Sequence, residues 1–429
     1  MTETATAVRA SILDRVLRDY RSVAAELPGD TAVQAARARA AARLNELGWP
    51  STRDEQWRYA NLRAFERLDA FRPRNVASTL DPADLPPPVP GFDRLIFVDG
   101  RLAAGTHPML SVTSAGFTVT PAWPPEQRLG LLAQMFAADS ARLEVRGDAA
   151  VELLFLGTGG TASYPCIDIR LECDSRLRLI ERQLTHPAVA GSAAGVAPAL
   201  VACNLTIDLA ANATLTHYRL QQHRRDTVFA DTLGARLAEQ ARYTVRSVAL
   251  GGGTARTSAG VQLAGRGATL AWSSIAVGRA EQVHDVALKV EHNAPETVTQ
   301  ELFRGLADEH ARVAFSGHIQ IQATAPGSQA RQSLRGLIEG GAEIDLRPRL
   351  EILTDDVRAS HGATTGRLDE DLLFYLLARG IDRATARALL KWAFLGDVLR
   401  EIDQPELRLE AERMAAGQLP DVPSLGALK

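Results

Sequence analysis

Across residues 150–352 the chain shows no helical period, only short runs in which apolar and polar residues alternate. Val286, Leu288 and Val290 share one parity and Ala287, Lys289 and Glu291 the other, and His318, Gln320 and Gln322 alternate with Ile319 and Ile321 in the same way. A period of two puts successive side chains on opposite faces of a sheet. Small-residue corners at Gly251, Gly252, Gly253, Gly265 and Gly267 interrupt these runs. A chain with this many short strands must bury them in a sandwich, a barrel or a stacked β-solenoid, and periodicity leaves the three open.

The flanks read differently. Leu13, Val16, Leu17 and Tyr20 recur at helical spacing, and a second helix is expected from Thr31, carrying Val33, Ala36, Ala40, Leu44 and Leu47 and stopping at Gly48. Residues 82–90, with Pro86, Pro87 and Pro88, read as a rigid connector. After Leu368 the pattern becomes helical again. Asp369 begins a helix with Leu372, Leu373, Leu376 and Leu377 that ends at Gly380, and Asp382 caps another carrying Leu389, Leu390, Ala393, Phe394 and Leu399. A chain of 429 residues exceeds what one core organises. The expected division is a largely helical part with the proline connector (1–145), a β core (146–366) and a C-terminal helical part (367–429).

Several chemistries are poorly served. A formal charge of -3 provides no basic excess for nucleic acid. The three cysteines, Cys166, Cys173 and Cys203, form no CxxC pair, so neither a self-contained metal knuckle nor a disulfide framework is expected, and a reducing compartment such as the cytoplasm fits. The first thirty residues carry no secretory signal pattern, and the uncharged run 187–207 is rich in Ala and Gly and broken by Pro198 and Asn204, which suits a buried or loop segment better than a membrane span. The glycine triplet 251–253 lacks the spacing and lysine of a phosphate loop and reads as a structural corner.

His284, His292, His310 and His318 lie close in sequence to Asp285, Glu291, Asp308 and Glu309, but alternating strands scatter such side chains over two faces. Surface or structural roles are expected, with His292 the strongest exception. The densest polar stretch runs from Asp355 and Asp356 through Ser360, His361 and Gly362 to Thr364. Adjacent strand residues point apart, which argues against a Ser360–His361 catalytic pair. Gly362 and Gly366 read as strand breakers, and His361 as an imidazole able to ligate iron once another chain supplies further ligands.

These residues carry a resemblance. The run 350–357, then Ser360-His361-Gly362-Ala363-Thr364, Leu368 to Asp371, Leu373-Phe374-Tyr375-Leu376 and Arg379-Gly380-Ile381 resemble the SufD signature of the SufB/SufD family. Upstream, Ser247 to Gly253, Val290 to Pro295, Phe315 to Ile319 and Glu55-Gln56-Trp57-Arg58-Tyr59 are similar to further family motifs. Two departures stand out: Ala359 occupies a position where many relatives have cysteine, and Ala325-Pro326-Gly327-Ser328-Gln329 departs from the family's more regular strand.

The resemblance implies a right-handed parallel β-helix flanked by helical domains, and a non-catalytic scaffold for iron–sulfur cluster assembly. By it the chain would pair with SufB and bind the ATPase SufC, which would supply ATP hydrolysis; a homodimer is an option left open for the isolated chain. His361 would contribute to an iron or nascent-cluster site at the SufB interface, and Phe374, Tyr375, Arg379, Gly380 and Trp392 would dock SufC. A transient iron–sulfur cluster and, in the assembled complex, a reduced flavin are the implied cofactors, with none expected in the isolated chain. The rival readings are a β-helix enzyme acting on polysaccharide, which the 5% aromatic content serves poorly, and a homodimeric scaffold independent of SufB.

Overall fold

The computed structural model describes residues 11–73, 85–113, 128–160, 162–185 and 199–419. Its centre is a parallel β-solenoid of about seven turns, which resolves the choice that periodicity left open. From Asp148 onward the chain alternates between two sheets, laying one strand in each per turn. In one sheet the strands Thr214–Gln222, Arg242–Ala249, Thr269–Gly278, Val298–Ala307, Ser328–Ile338 and Val357–Gly366 are successive parallel neighbours. The other sheet ends with Thr254–Leu263, Val283–His292, Arg312–Ile321 and Glu343–Ile352.

The alternation seen in sequence is realised strand by strand. In Val283–His292, Val286, Leu288 and Val290 are buried while Ala287, Lys289 and Glu291 are half-buried. Inward residues from both sheets fill the lumen with stacked aliphatic and aromatic side chains, Leu205, Leu233, Val261, Leu288 and Ile319 among them. Burying such side chains is the main stabilising contribution to the fold, at about 1.5–3 kcal/mol for each large one.

The corners explain the glycines. A Cβ on Gly251 would lie 2.3 Å from the His223 amide nitrogen, and one on Gly253 2.1 Å from the Arg225 carbonyl oxygen. Neighbouring backbones approach too closely there for any side chain. The triplet is thus the structural corner expected. The strand Val357–Gly366 runs straight through Gly362, contrary to the expectation of a break, because the ladder to Ser328–Ile338 holds its register from Val357 to Gly366.

The β structure begins before residue 146. Asp93–Val98 pairs in parallel with Asp148–Gly157, and Ser140–Val145 with Cys166–Leu171. Leu95, Phe97, Leu143 and Val145 alternate inward and join the lumen core, with Phe97 stacked on Phe155 at 4.9 Å. Of the proline connector, residues 85–90 are described and form neither helix nor strand, and the carbonyls of Pro86 and Pro87 accept from Arg94. Of the uncharged run, 199–207 belongs to the buried strand Ala199–Leu209 and 187–198 lies outside the described residues.

Helices clasp the solenoid from both sides. Ile12–Val23 is capped by Ser11 and Thr31–Leu47 by Asp30, the latter ending at Gly48 with φ +73°. With Gly130–Phe136 they cover the outer face of one sheet at Leu200, Ala202, Val228 and Ala230. On the other sheet, Leu395, Val398, Leu399, Ile402 and Leu407 from Arg383–Leu399, Pro405–Gly417 and the turn between them cover Tyr218, Leu220, Val248, Ile275 and Leu306. Asp369 and Asp382 cap the helices they precede, as expected.

Candidate functional site at the open end of the solenoid

Strands Glu343–Ile352 and Val357–Gly366 are the last of their sheets, and each is paired on one side only. Their free edges carry backbone donors and acceptors able to pair with another strand. Ile352 and Leu353, 42% and 50% exposed, add apolar surface where the first of these strands ends.

His361 is exposed on the second strand. Its register partner is Gln332, whose own partner is Glu301, which in turn lies opposite Trp272. Trp272, Glu301 and Gln332 are buried, and Gln332 donates to Glu301 Oε2 at 2.5 Å. A Cβ placed on Gly317 of the opposite sheet would lie 2.9 Å from the same oxygen, so the Glu301 carboxyl points into the lumen. By strand parity His361 shares that face, whereas Ser360 lies opposite Arg331 on the outer face. The two therefore diverge, as a pair of adjacent strand residues must. Burial pushes the Glu301 carboxyl up to about 7, although the bond from Gln332 opposes the shift.

Among the described residues, the cluster of His, Cys, Asp or Glu close enough to share an ion is Glu181, Cys203 and Asp231. It lies deep in the lumen and excludes His361. Its charges are already paired: Arg219 binds Glu181 through two hydrogen bonds of 2.8 and 2.9 Å and Asp231 through one of 2.9 Å, and His217 Nε2 stands 3.1 Å from Glu181. Burial opposes charge on Glu181, but Arg219 and His217 overcome it and hold that carboxyl well below its usual range. Burial and the carboxylates of Glu181 and Asp231 push the Cys203 thiol far up, so it stays protonated. A cation would have to displace a bidentate arginine and deprotonate a disfavoured thiol, so the trio does not fit a metal as it stands.

The strand histidines resolve individually. His292, the exception expected from sequence, is fully buried with Nδ1 2.8 Å from the Thr297 hydroxyl and Nε2 2.9 Å from that of Thr299. Both nitrogens are engaged and burial pulls its pKa down to about 4, which makes it a core histidine rather than a ligand. His284 is buried without a polar partner, and half-buried His318 lies 3.3 Å from Glu351.

The residues expected to dock an ATPase divide. Phe374 and Tyr375 are 72% and 53% exposed on helix Glu370–Ala378, Arg379 stacks over the Tyr375 ring at 4.8 Å, and Gly380 turns the chain with φ +81°. Leu372, 52% exposed, extends this patch. Trp392 lies apart from it, half-buried against the apolar cluster that holds the C-terminal helices to the solenoid. The motif at residues 55–59 has a docking role of its own. Trp57 is buried beneath the Arg256 guanidinium, 4.0 Å from ring centre, while Arg256 pairs with Asp285 and donates to the Gln56 carbonyl.

A cleft of about 660 Å³ lies beside that motif, lined by Asp54, Glu55, Arg128, His318, Arg347 and Arg349 among others. Its charges pair across it, Arg128 with Asp54 at 2.7 Å and Arg347 with Glu55 at 3.1 Å. Its lining is mostly charged or polar, and beyond the rings of His318 and Pro348 it gives an isoalloxazine ring little to stack on.

The lumen network was not anticipated from sequence. Its signal is charge on the apolar parity: Leu177 and Leu179 lead to Glu181 and Gln183, and Leu215 leads to His217 and Arg219.

Residues 154–394 match the family described as SUF system FeS cluster assembly, SufBD core domain. Over 219 residues the chain is 33% identical to the iron–sulfur cluster assembly protein SufD of Escherichia coli (strain K12), a match covering 50% of this chain and 51% of that protein. A SufBD family protein of Synechocystis is 26% identical over 391 residues, covering 85% and 86% of the two chains. Another, of Mycobacterium tuberculosis (strain ATCC 25618 / H37Rv), is 33% identical over 215 residues, covering 48% and 53%. The chain thus spans about half the length of some of the curated relatives it matches and most of another.

Proposed function

This chain belongs to the SufBD family of iron–sulfur cluster assembly proteins, and on that premise we propose that it serves as a SufD-type scaffold subunit, pairing with a SufB-type chain and binding a SufC-type ATPase. The observation that carries the reading is the open end of the solenoid, where two one-sided edge strands present His361. Pairing there would extend the sheets across an interface and bring a second chain's ligands to an imidazole that belongs to no group of three or more such ligands among the described residues. Iron and sulfide are cargo in this scheme. The ATPase would supply the hydrolysis.

The helix Glu370–Ala378 is the proposed docking element for that ATPase. Leu372, Phe374 and Tyr375 are apolar or aromatic anchors on a helix that buries only Leu373, and Arg379 is fixed beside them. No helix among the described residues is long and apolar enough to cross a membrane, and we place the assembly in the cytoplasm.

Co-expression of the tagged chain with SufB-type and SufC-type proteins from the same source tests the proposal. Recovery of both partners, with iron and acid-labile sulfide that fall in the His361→Ala variant while both partners remain bound, supports it. Recovery of the chain alone or as a homodimer under conditions where the other two proteins associate overturns it.

A further inference from the structure

On the outer face of the sheet that ends in Val357–Gly366, a pocket of about 420 Å³ opens between the strands and the helix Arg383–Leu399. Four arginines, Arg246, Arg304, Arg331 and Arg335, line it together with two carboxylates, Asp397 and Glu401. Glu301 borders the pocket from its strand only, since its carboxyl lies on the lumen side against Gln332.

The pairing within the pocket is incomplete. Arg246 lies 3.3 Å from Glu401, and Arg304 lies 3.1 Å from Asp397. The side chains of Arg331 and Arg335 have no hydrogen bond or ion pair among the described residues, and both are exposed to the pocket's solvent. Arg304 and Arg335 are direct register partners on adjacent strands, an arrangement in which like charges repel. Arg304 is 5% exposed and its Nε is a buried donor without an acceptor. Burial pulls its guanidinium below the ordinary value, and the charge of Arg335 adds to that fall.

We infer that this pocket is a binding site for a phosphate group, either free phosphate or the monoester end of a larger molecule. Two uncompensated guanidiniums match a dianion, and planar arginine forks suit the bidentate geometry of phosphate oxygens. The volume is within the range of small-ligand sites. Its side-chain lining is polar apart from Ala271 and Leu302, with no aromatic ring, so the anionic group itself is what the pocket recognises. Filling it would relieve the Arg304–Arg335 repulsion and bring an acceptor to a starved donor. None of its lining residues lies on the two edge strands of the open end.

Calorimetric titration of the full chain with inorganic phosphate, AMP and adenosine, at fixed chloride and pH, tests the inference against the variant Arg331→Gln/Arg335→Gln. Neither arginine holds a structural contact, so the double variant should retain the wild-type circular dichroism and melt at or above the wild-type temperature. The expected result is saturable one-to-one binding of phosphate, at least tenfold weaker in the variant, with no binding of adenosine. AMP binding more tightly than phosphate identifies the monoester as the source, and phosphate binding at least as tightly identifies the free ion. Absence of saturable binding by the wild-type chain, or equal affinity in the variant, overturns the site.

Discussion

Gln332 stands between His361 and Glu301: its backbone is the register partner of the first, and its side-chain amide donates to the second at 2.5 Å. An exposed imidazole at the end of the solenoid and a buried carboxyl in its lumen are thereby two rungs apart on one face. The carbonyl oxygen of the Gln332 side chain is buried without a partner, so the column retains an unused acceptor.

Glu301 gives the column a pH signature. Its carboxyl is pushed by burial from 4.5 to about 7, so the fold favours the protonated form. That contribution is complete below about pH 4.5 and is lost as pH rises through 7. Glu301→Gln retains an acceptor for Gln332 and cannot ionise. The variant should therefore gain on the wild type between pH 5 and pH 8, by on the order of 3 kcal/mol. Urea midpoints at the two pH values measure this, and a constant difference between the proteins would rule it out.

Removing the lumen arginine should be far more damaging. Arg219→Leu leaves Glu181 and Asp231 facing each other without their shared guanidinium, both buried from bulk solvent. Breaking one member out of a buried ionic group typically costs about 3–5 kcal/mol. Replacing all three charges together should cost much less, since no unpaired charge then remains. Denaturant unfolding of the single and triple variants compares the two costs, and a triple variant weaker than the single would contradict the argument.

Surface positions should separate docking from folding. Phe374→Ala and His361→Ala alter exposed side chains, and each should leave stability within about 0.5 kcal/mol of wild type. In pull-downs with a SufC-type ATPase, Phe374→Ala should weaken capture by roughly tenfold, as expected for a 1–2 kcal/mol anchor, while His361→Ala retains it. Equal capture by both variants would remove the helix Glu370–Ala378 from the interface.

Much of this architecture was legible in sequence because alternation and capping are local. Gly48, Asp369, Gly380 and Asp382 each mark a helix end where expected. The solenoid repeat was not legible, and its corners show why. Asn212, Gln240, Gly267, Glu296 and Gly327 all adopt positive φ, and their amides donate in turn to Glu239, Arg266, Pro295, Pro326 and Asp356. The repeat is one of backbone conformation and hydrogen bonding, while the residue that performs it changes from turn to turn. The site shows the same division: Phe374 and Tyr375 were readable as a patch because they are neighbours, but the proximity of Glu301, Gln332 and His361 depends on a register that only stacking creates.

Buried histidines should govern how the fold fails in acid. Burial pulls His223 down to about 3 and His284 and His292 down to about 4, from an ordinary 6.5. Each is neutral when folded and binds a proton readily when unfolded. The unfolded chain therefore takes up more protons between pH 6.5 and 4, so their stabilising contribution is complete above about 6.5 and declines as pH falls through that window. Glu301, Asp231, Asp285 and Glu410, whose carboxyls burial raises, act with the opposite sign over part of the same range, so a single histidine is the cleaner probe. His284 isolates the effect because neither ring nitrogen has a partner, so His284→Leu removes no hydrogen bond and should cost less than about 1.5 kcal/mol at pH 7.5, as an apolar exchange of similar volume. At pH 5 the variant should equal or exceed the wild type, because it has no imidazole to protonate on unfolding. Urea unfolding of both proteins at the two pH values decides the matter, and a His284→Leu deficit that grows on acidification would show that the ring is charged in the folded chain.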